Sequence, residues 1–213
     1  MKHLKKFKTY EAIILPEQIK DNSKINSVMD LANYGEKNGF DVFSYDDFLL
    51  ELSEVDKKTA PNRGEVPFFA FYNRHRNKPA FVYDRGIEMA IRHMPNFKEV
   101  LDDIMSHERI HQEQNKRLSK EVVYNLPDPK KIDEYFSSKE EIMAFSFTIA
   151  KDIYNNSRSL EESLKKLKEE RFPPQMSRRI FNDIKKWTSE KVVNRYKKYI
   201  YLYLKELYKE KEE

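Results

Sequence analysis

Apolar positions along the chain recur with different periods in different regions, and these periods predict its elements. Glu11 to Leu15, closed by Pro16, predicts a short strand. Ile25, Val28, Met29 and Ala32 recur at i, i+3, i+4 and i+7, which predicts an amphipathic helix with Ser23 as its cap and Gly35 or Gly39 as its stop. A second helix begins near Ser44, with Asp47 three residues on, and carries Phe48, Leu49, Leu52 and Val55. Pro61, Asn62 and Gly64 make residues 59 to 65 a loop. Two β-like runs follow, Val66 to Tyr72 and Ala80 to Tyr83, joined by the polar stretch Asn73 to Pro79. They predict a hairpin and a small antiparallel sheet, with Ala80 to Tyr83 the candidate edge for holding an extended peptide.

From Asn96 onward the period is helical. A long helix over about 96 to 119 starts well after Pro95 and presents Phe97, Val100, Ile104, His107, His111, Gln114 and Leu118 inward. Residues 125 to 138, with Pro127 and Pro129, read as a loop. A helix over about 139 to 155 turns Ile142, Phe145, Ile149 and Ile153 inward. Ser159 and Glu162 open another, with Leu160, Leu164 and Leu167, and Phe172-Pro173-Pro174 breaks the chain. Two last helices, about 177 to 187 and 189 to 210, carry Ile180, Ile184, Trp187, Val192, Tyr196, Tyr199, Ile200, Tyr203, Leu204 and Leu207. The predicted class is α+β and predominantly helical, a single domain. Its parts are an N-terminal helical segment over about 1–65, a core over 66–155 and a C-terminal helical extension over 156–213.

Composition narrows the chemistry. The 213 residues include 14 Phe and 13 Tyr, which argues against disorder even though 36% of residues are charged. Only 4 Gly leave no room for a glycine-rich phosphate loop. Cys is absent, which removes disulfides, thiolate ligands and a cysteine nucleophile. The basic start Met1-Lys2-His3-Leu4-Lys5-Lys6 has no apolar run behind it and no segment is apolar enough to span a bilayer, so a cytoplasmic protein without membrane partners is expected. The net charge of +4 is too mild to imply nucleic acid by itself.

The chemistry concentrates in Ser106-His107-Glu108-Arg109-Ile110-His111, which reads H-E-x-x-H inside the long helix. Two histidines four apart stand on one helix face, so both imidazoles can reach one metal ion. The glutamate between them can take a proton from water on that ion. A catalytic zinc needs a third protein ligand. No histidine follows His111, and Arg117 occupies the position where a metzincin has its third, which excludes that class. His93 or His75 as third ligand would need an unusual layout, and both read more readily as surface or loop residues, with His3 in a basic terminus. A carboxylate on a later helix remains, and Glu140 and Glu141 both fit. Each is also a capping-box candidate, Ser137 with Glu140 and Ser138 with Glu141. If Glu141 binds metal, Ser137 with Glu140 is the natural cap.

HExxH, about thirty residues of connection, then Glu-x-x-Ala opening an apolar helix resembles the gluzincin arrangement. More narrowly, His107-Glu108-Arg109-Ile110-His111-Gln112-Glu113-Gln114 with Glu141-Ile142-Met143-Ala144-Phe145-Ser146 resembles a group of small viral and phage zincin-like proteins. The resemblance covers about residues 80 to 155. It implies a minimal zincin-like domain and a zinc metallopeptidase acting on a peptide or protein, with His107, His111 and Glu141 as ligands and Glu108 as general base. Gln114 is then a partner supporting a ligand, and Tyr135 and Tyr196 are candidates to steady the oxyanion. Two other readings compete with it: a zincin-like metal site with only a structural or interaction role, and DNA association through Arg178, Arg179, Lys185, Lys186, Lys191, Arg195, Lys197 and Lys198 with their interleaved tyrosines. A solvated amphipathic helix with its tyrosines packed inward explains that basic tail more simply, so nucleic acid is not an expected partner.

Overall fold

A computed structural model describes residues 23–51, 67–73, 76–117, 131–173 and 176–210. The expected strand at Glu11 to Leu15, the loop 59–65, His3, His75, Val55 and Leu118 lie outside them. The chain is predominantly helical with a small sheet, as expected.

Helix α1 (Val28–Lys37) leads into strand β1 (Asp41–Ser44) and helix α2 (Tyr45–Glu51). The α1 cap is Ser27, not Ser23: its side chain accepts from Asp30 N, whose carboxylate in turn accepts from Asn26 N. Met29 is 70% exposed, and the buried face is set by Leu31 and Tyr34 instead. Gly39 terminates the helix with φ 72°, whereas Gly35 lies inside it. A Cβ at Gly35 would sit 2.5 Å from Val42 Cγ2, so the bare backbone is what lets α1 close onto β1. Ser44 caps α2 as expected, accepting from Asp47 N and donating to its carboxylate.

Strands β2 (Phe68–Asn73) and β3 (Lys78–Tyr83) form the antiparallel hairpin. Strand β1 adds to the other side of β3 in parallel, so the sheet is mixed, in the order β1-β3-β2. The central position of β3 removes Ala80–Tyr83 as a peptide-holding edge, because both its sides are already paired; β1 and β2 are the edges. Side chains alternate between faces as strand geometry requires. Val42, Phe68, Ala70 and Phe81 join a core with Leu31, Tyr34, Phe97, Leu101 and Met105, while Phe43, Phe69, Phe71 and Val82 meet Phe48 of α2.

After α3 (Ile87–His93) comes α4 (Phe97–Arg117), 21 residues or about 31 Å long. Of its expected inward stripe, Phe97, His107 and Gln114 are buried. Leu101, Met105 and Ile110 are buried, whereas Val100 and Ile104 are only half-buried, because the helix is covered on two sides. The region expected to be a loop contains α5 (Ile132–Ser137). Then follow α6 (Lys139–Asn155), α7 (Leu160–Lys168) capped by Ser159, α8 (Met176–Trp187) and α9 (Glu190–Lys209). These helices, with Ile110 of α4, enclose the largest core, in which Ile142, Ile149 and Ile153 of α6 face Tyr196, Ile200 and Tyr203 of α9. Trp187 is 41% exposed rather than inward. Among the described residues, no helix is long and apolar enough to cross a membrane.

Replacing Gly35 by Ala is expected to lower stability by about 1–3 kcal/mol through the Val42 overlap. Urea unfolding of the two proteins measures it, and an unchanged midpoint would mean that α1 does not need this close approach.

Candidate metal centre

Helix α4 places His107 and His111 one turn apart on the face turned to α6. Their Nε2 atoms are 3.2 Å from each other. Glu141, in the first turn of α6, meets both: its Oε2 lies 3.3 Å from His107 Nε2, and its Oε1 lies 3.4 Å from His111 Nε2. Among the described residues these three make the one group able to hold a metal ion. Glu140 is not part of it. Glu108 is buried beside the group without belonging to it, and His93 is exposed at the end of α3.

The way α6 begins explains how Glu141 is free to take part. Ser138 is the cap and accepts from Glu141 N, so Ser137 with Glu140 is not the capping pair. The other half of a capping box would send the Glu141 carboxylate back to Ser138 N. Here Ser138 N donates to Tyr135 O at the end of α5 instead. Backbone capping and carboxylate presentation are thus divided between two parts of the same residue.

Gln114 supports the group as expected. Its Oε1 accepts from His111 Nδ1 at 3.0 Å, which leaves Nε2 to face the carboxylate, and its Nε2 donates to Glu140 O at 3.1 Å. Phe145 of α6, one turn after Glu141, lies against the His107 ring at 4.4 Å between centroids. Its inward position was legible in the sequence; its contact with His107 was not. Tyr135 reaches the group: burial, the charges of Glu141 and Glu108, and a hydrogen bond to Glu141 push its phenol well up. Tyr196 is placed deeper, with its hydroxyl donating to Phe136 O at 2.8 Å, so its proton is committed to the backbone.

Burial alone would keep these ionisable groups neutral, and for His111 and Glu141 their mutual contacts decide otherwise. Burial lowers the affinity of His111 for a second proton, yet Glu141, Glu108 and Gln114 outweigh it and raise its pKa to about 9. Burial pushes the Glu141 carboxyl up, but the two histidines hold it well below the usual carboxylate range. For Glu108 burial prevails over the histidines, and its pKa is raised.

A cation fits this geometry. Tetrahedral coordination with bonds of about 2.0–2.1 Å spaces its ligand atoms about 3.3–3.4 Å apart. The two imidazole Nε2 atoms, 3.2 Å apart, come near that spacing, and each faces a different oxygen of the Glu141 carboxylate, at 3.3 and 3.4 Å. Buried Glu141 Oε2 has no hydrogen-bond donor, an expense that a metal would remove. The side chains of the three residues keep 10 to 14% exposure.

The basic tail has a structural account. Tyr196, Tyr199 and Tyr203 are buried in the helical core, and Lys185 and Lys197 converge on Glu170. Compared with known protein families, with curated proteins and with solved structures, the chain matches none.

Without metal, the raised His111 contributes stability that is full below its ordinary value of about 6.5 and is lost as pH rises through about 9. The lowered Glu141 contributes stability present above the ordinary carboxylate range and lost as pH falls through its own depressed value. Metal binding requires neutral His111, so apparent affinity is expected to climb with pH toward about 9, with about one proton released per ion at pH 7. Calorimetric titration in buffers of different ionisation enthalpy counts that proton, and a release of zero would contradict the His111–Glu141 pairing.

Proposed function

We propose that the protein is a zinc metallopeptidase of the gluzincin type, hydrolysing peptide bonds in a peptide or protein substrate. The observation that carries the reading is the meeting of two histidines from one helix with a glutamate from another, beside a buried second glutamate. The His₂Glu donor set and its spacing favour zinc among common cations. The same residues carry the resemblance to small viral and phage zincin-like proteins.

Zinc, when bound, supplies a Lewis acid that polarises the scissile carbonyl and makes water acidic enough to attack near neutral pH. His107, His111 and Glu141 would hold it. Glu108 takes a proton from the attacking water and passes it to the leaving amine nitrogen as the C–N bond breaks. Its raised pKa suits a group that must both accept and return a proton. Tyr135 holds Glu141 by its hydrogen bond, whereas the Tyr196 hydroxyl donates to Phe136 O.

The group also joins α4 to α6, which favours a second reading in which the metal only fastens the fold. Glu108 separates the two. Glu108→Gln should keep about one zinc per chain while lowering peptide turnover by about 10²-fold or more, measured on a mixed peptide library with metal content read by mass spectrometry. Both His107→Ala and Glu141→Ala should lose the metal. Turnover unchanged in Glu108→Gln would remove the peptidase assignment. Zinc retained in Glu141→Ala would remove Glu141 as a ligand.

A further inference from the structure

The seam between α4 and α6 is fastened by polar contacts at both ends. We infer that the end made by Lys151 sets the register that brings Glu141 onto the two histidines, so that Lys151 and Asp103 are positioning residues for the metal. This rests on the metal reading above and goes beyond its ligands.

The two helices run antiparallel. Asp103 of α4 meets Lys151 of α6, His107 meets Phe145, and Gln114 meets Glu140. At one end Gln114 ties the His111 ring to the Glu140 carbonyl. At the other, Lys151 Nζ donates to Asp103 Oδ1 at 3.0 Å and to Ser106 Oγ at 3.2 Å. Ser106 Oγ donates its own proton to Asp102 O at 2.6 Å, which leaves its lone pairs for the ammonium. The span from 103 to 114 on α4 equals that from 140 to 151 on α6, about three turns in each. The two fastenings therefore hold matched lengths of helix, and the metal group lies between them.

The Lys151 end touches no ligand, and its partners are drawn out of water. Lys151 and Asp103 side chains are 17% and 28% exposed. Burial pushes the Asp103 carboxyl up while Lys151 pulls it back. Ile110, Ala144 and Phe147 supply buried apolar surface nearby. Such contacts have little directionality, whereas hydrogen bonds from one ammonium to two fixed acceptors resist sliding. A slip of one turn would move Glu141 by about 5.4 Å, and metal–ligand distances tolerate only about 0.2 Å.

Lys151→Met tests the inference, with Lys197→Met as the comparison. Lys197 makes an ion pair with Glu170, at 33% and 32% exposure, formed without α4. Zinc affinity is measured by competition with a chelating dye, and stability of the metal-free proteins by urea unfolding. Lys151→Met is expected to bind zinc about 10-fold more weakly or worse, while Lys197→Met loses stability without losing affinity. The double variant Asp103→Leu with Lys151→Met leaves no stranded charge. It is expected to stay folded and to show the same weakened binding, which keeps the test decisive if the single variant does not fold. Wild-type affinity in Lys151→Met, or in the double variant, overturns the inference while leaving the metal site standing. Equal losses in Lys151→Met and Lys197→Met also overturn it, since affinity would then merely follow stability. A wild type that takes up no zinc overturns the metal reading itself, and this inference with it.

Discussion

Helix α4 has to satisfy two cores at once, and the arrangement of the other elements follows from how it does so. Its first half buries Phe97, Leu101 and Met105 against the sheet, and Ile110 in its second half enters the helical core around α6 and α9. A helix covered on two sides cannot keep a single apolar stripe. Where the two coverings meet, α4 turns Asp103, Ser106, His107, His111 and Gln114 toward α6. Buried polar groups are costly unless paired, so this seam forms only if α6 answers each of them. Lys151, Glu141 and the Glu140 carbonyl do so in order.

The answer is complete everywhere except at the middle. Lys151 has two acceptors, and Gln114 is satisfied at both ends of its amide. Two imidazoles and a carboxylate, by contrast, leave Glu141 Oε2 without a donor. An apolar trio would cost less to bury, and fully paired charges replaced by well-packed apolar side chains often gain stability. Retaining the polar trio makes physical sense if something divalent completes it. The Ser138 cap points the same way, because it binds the Glu141 backbone and leaves the carboxylate to the histidines.

What the sequence displayed depended on how locally each feature is encoded. HERIH, the hairpin, and the Ser44 and Ser159 caps are fixed by residues within a turn or two of one another, and each was legible. Strand β1 was not: four half-buried residues cannot display a period, and its pairing with β3 is made some forty residues away. Helix α5 was obscured by the prolines before it, and Ile132 with Phe136 was its one periodic signal. Met29 and Trp187 fit a helical stripe in spacing and yet face solvent, since spacing identifies a face and only tertiary packing decides whether it is covered. The Lys151–Asp103 contact spans 48 residues and leaves no trace in local pattern at all. Glu141 was reachable as a candidate only because an opening carboxylate at α6 stood within a spacing that metal sites use.

Exposure bears on what such a centre can do. A metal that only fastens a fold is best served by four protein ligands and a closed shell. Here the described residues bring three together, and each keeps a tenth or more of its side chain in contact with solvent. Glu108 is buried beside them, a carboxyl that burial makes more basic than usual. Burying a second carboxylate there costs stability in the metal-free state, as the charge of Glu141 raises the energy of ionised Glu108. A fastening role gives no return for that cost. Proton transfer would, so on the proposed peptidase reading it is the burial of Glu108, beside His107, His111 and Glu141, that has a use.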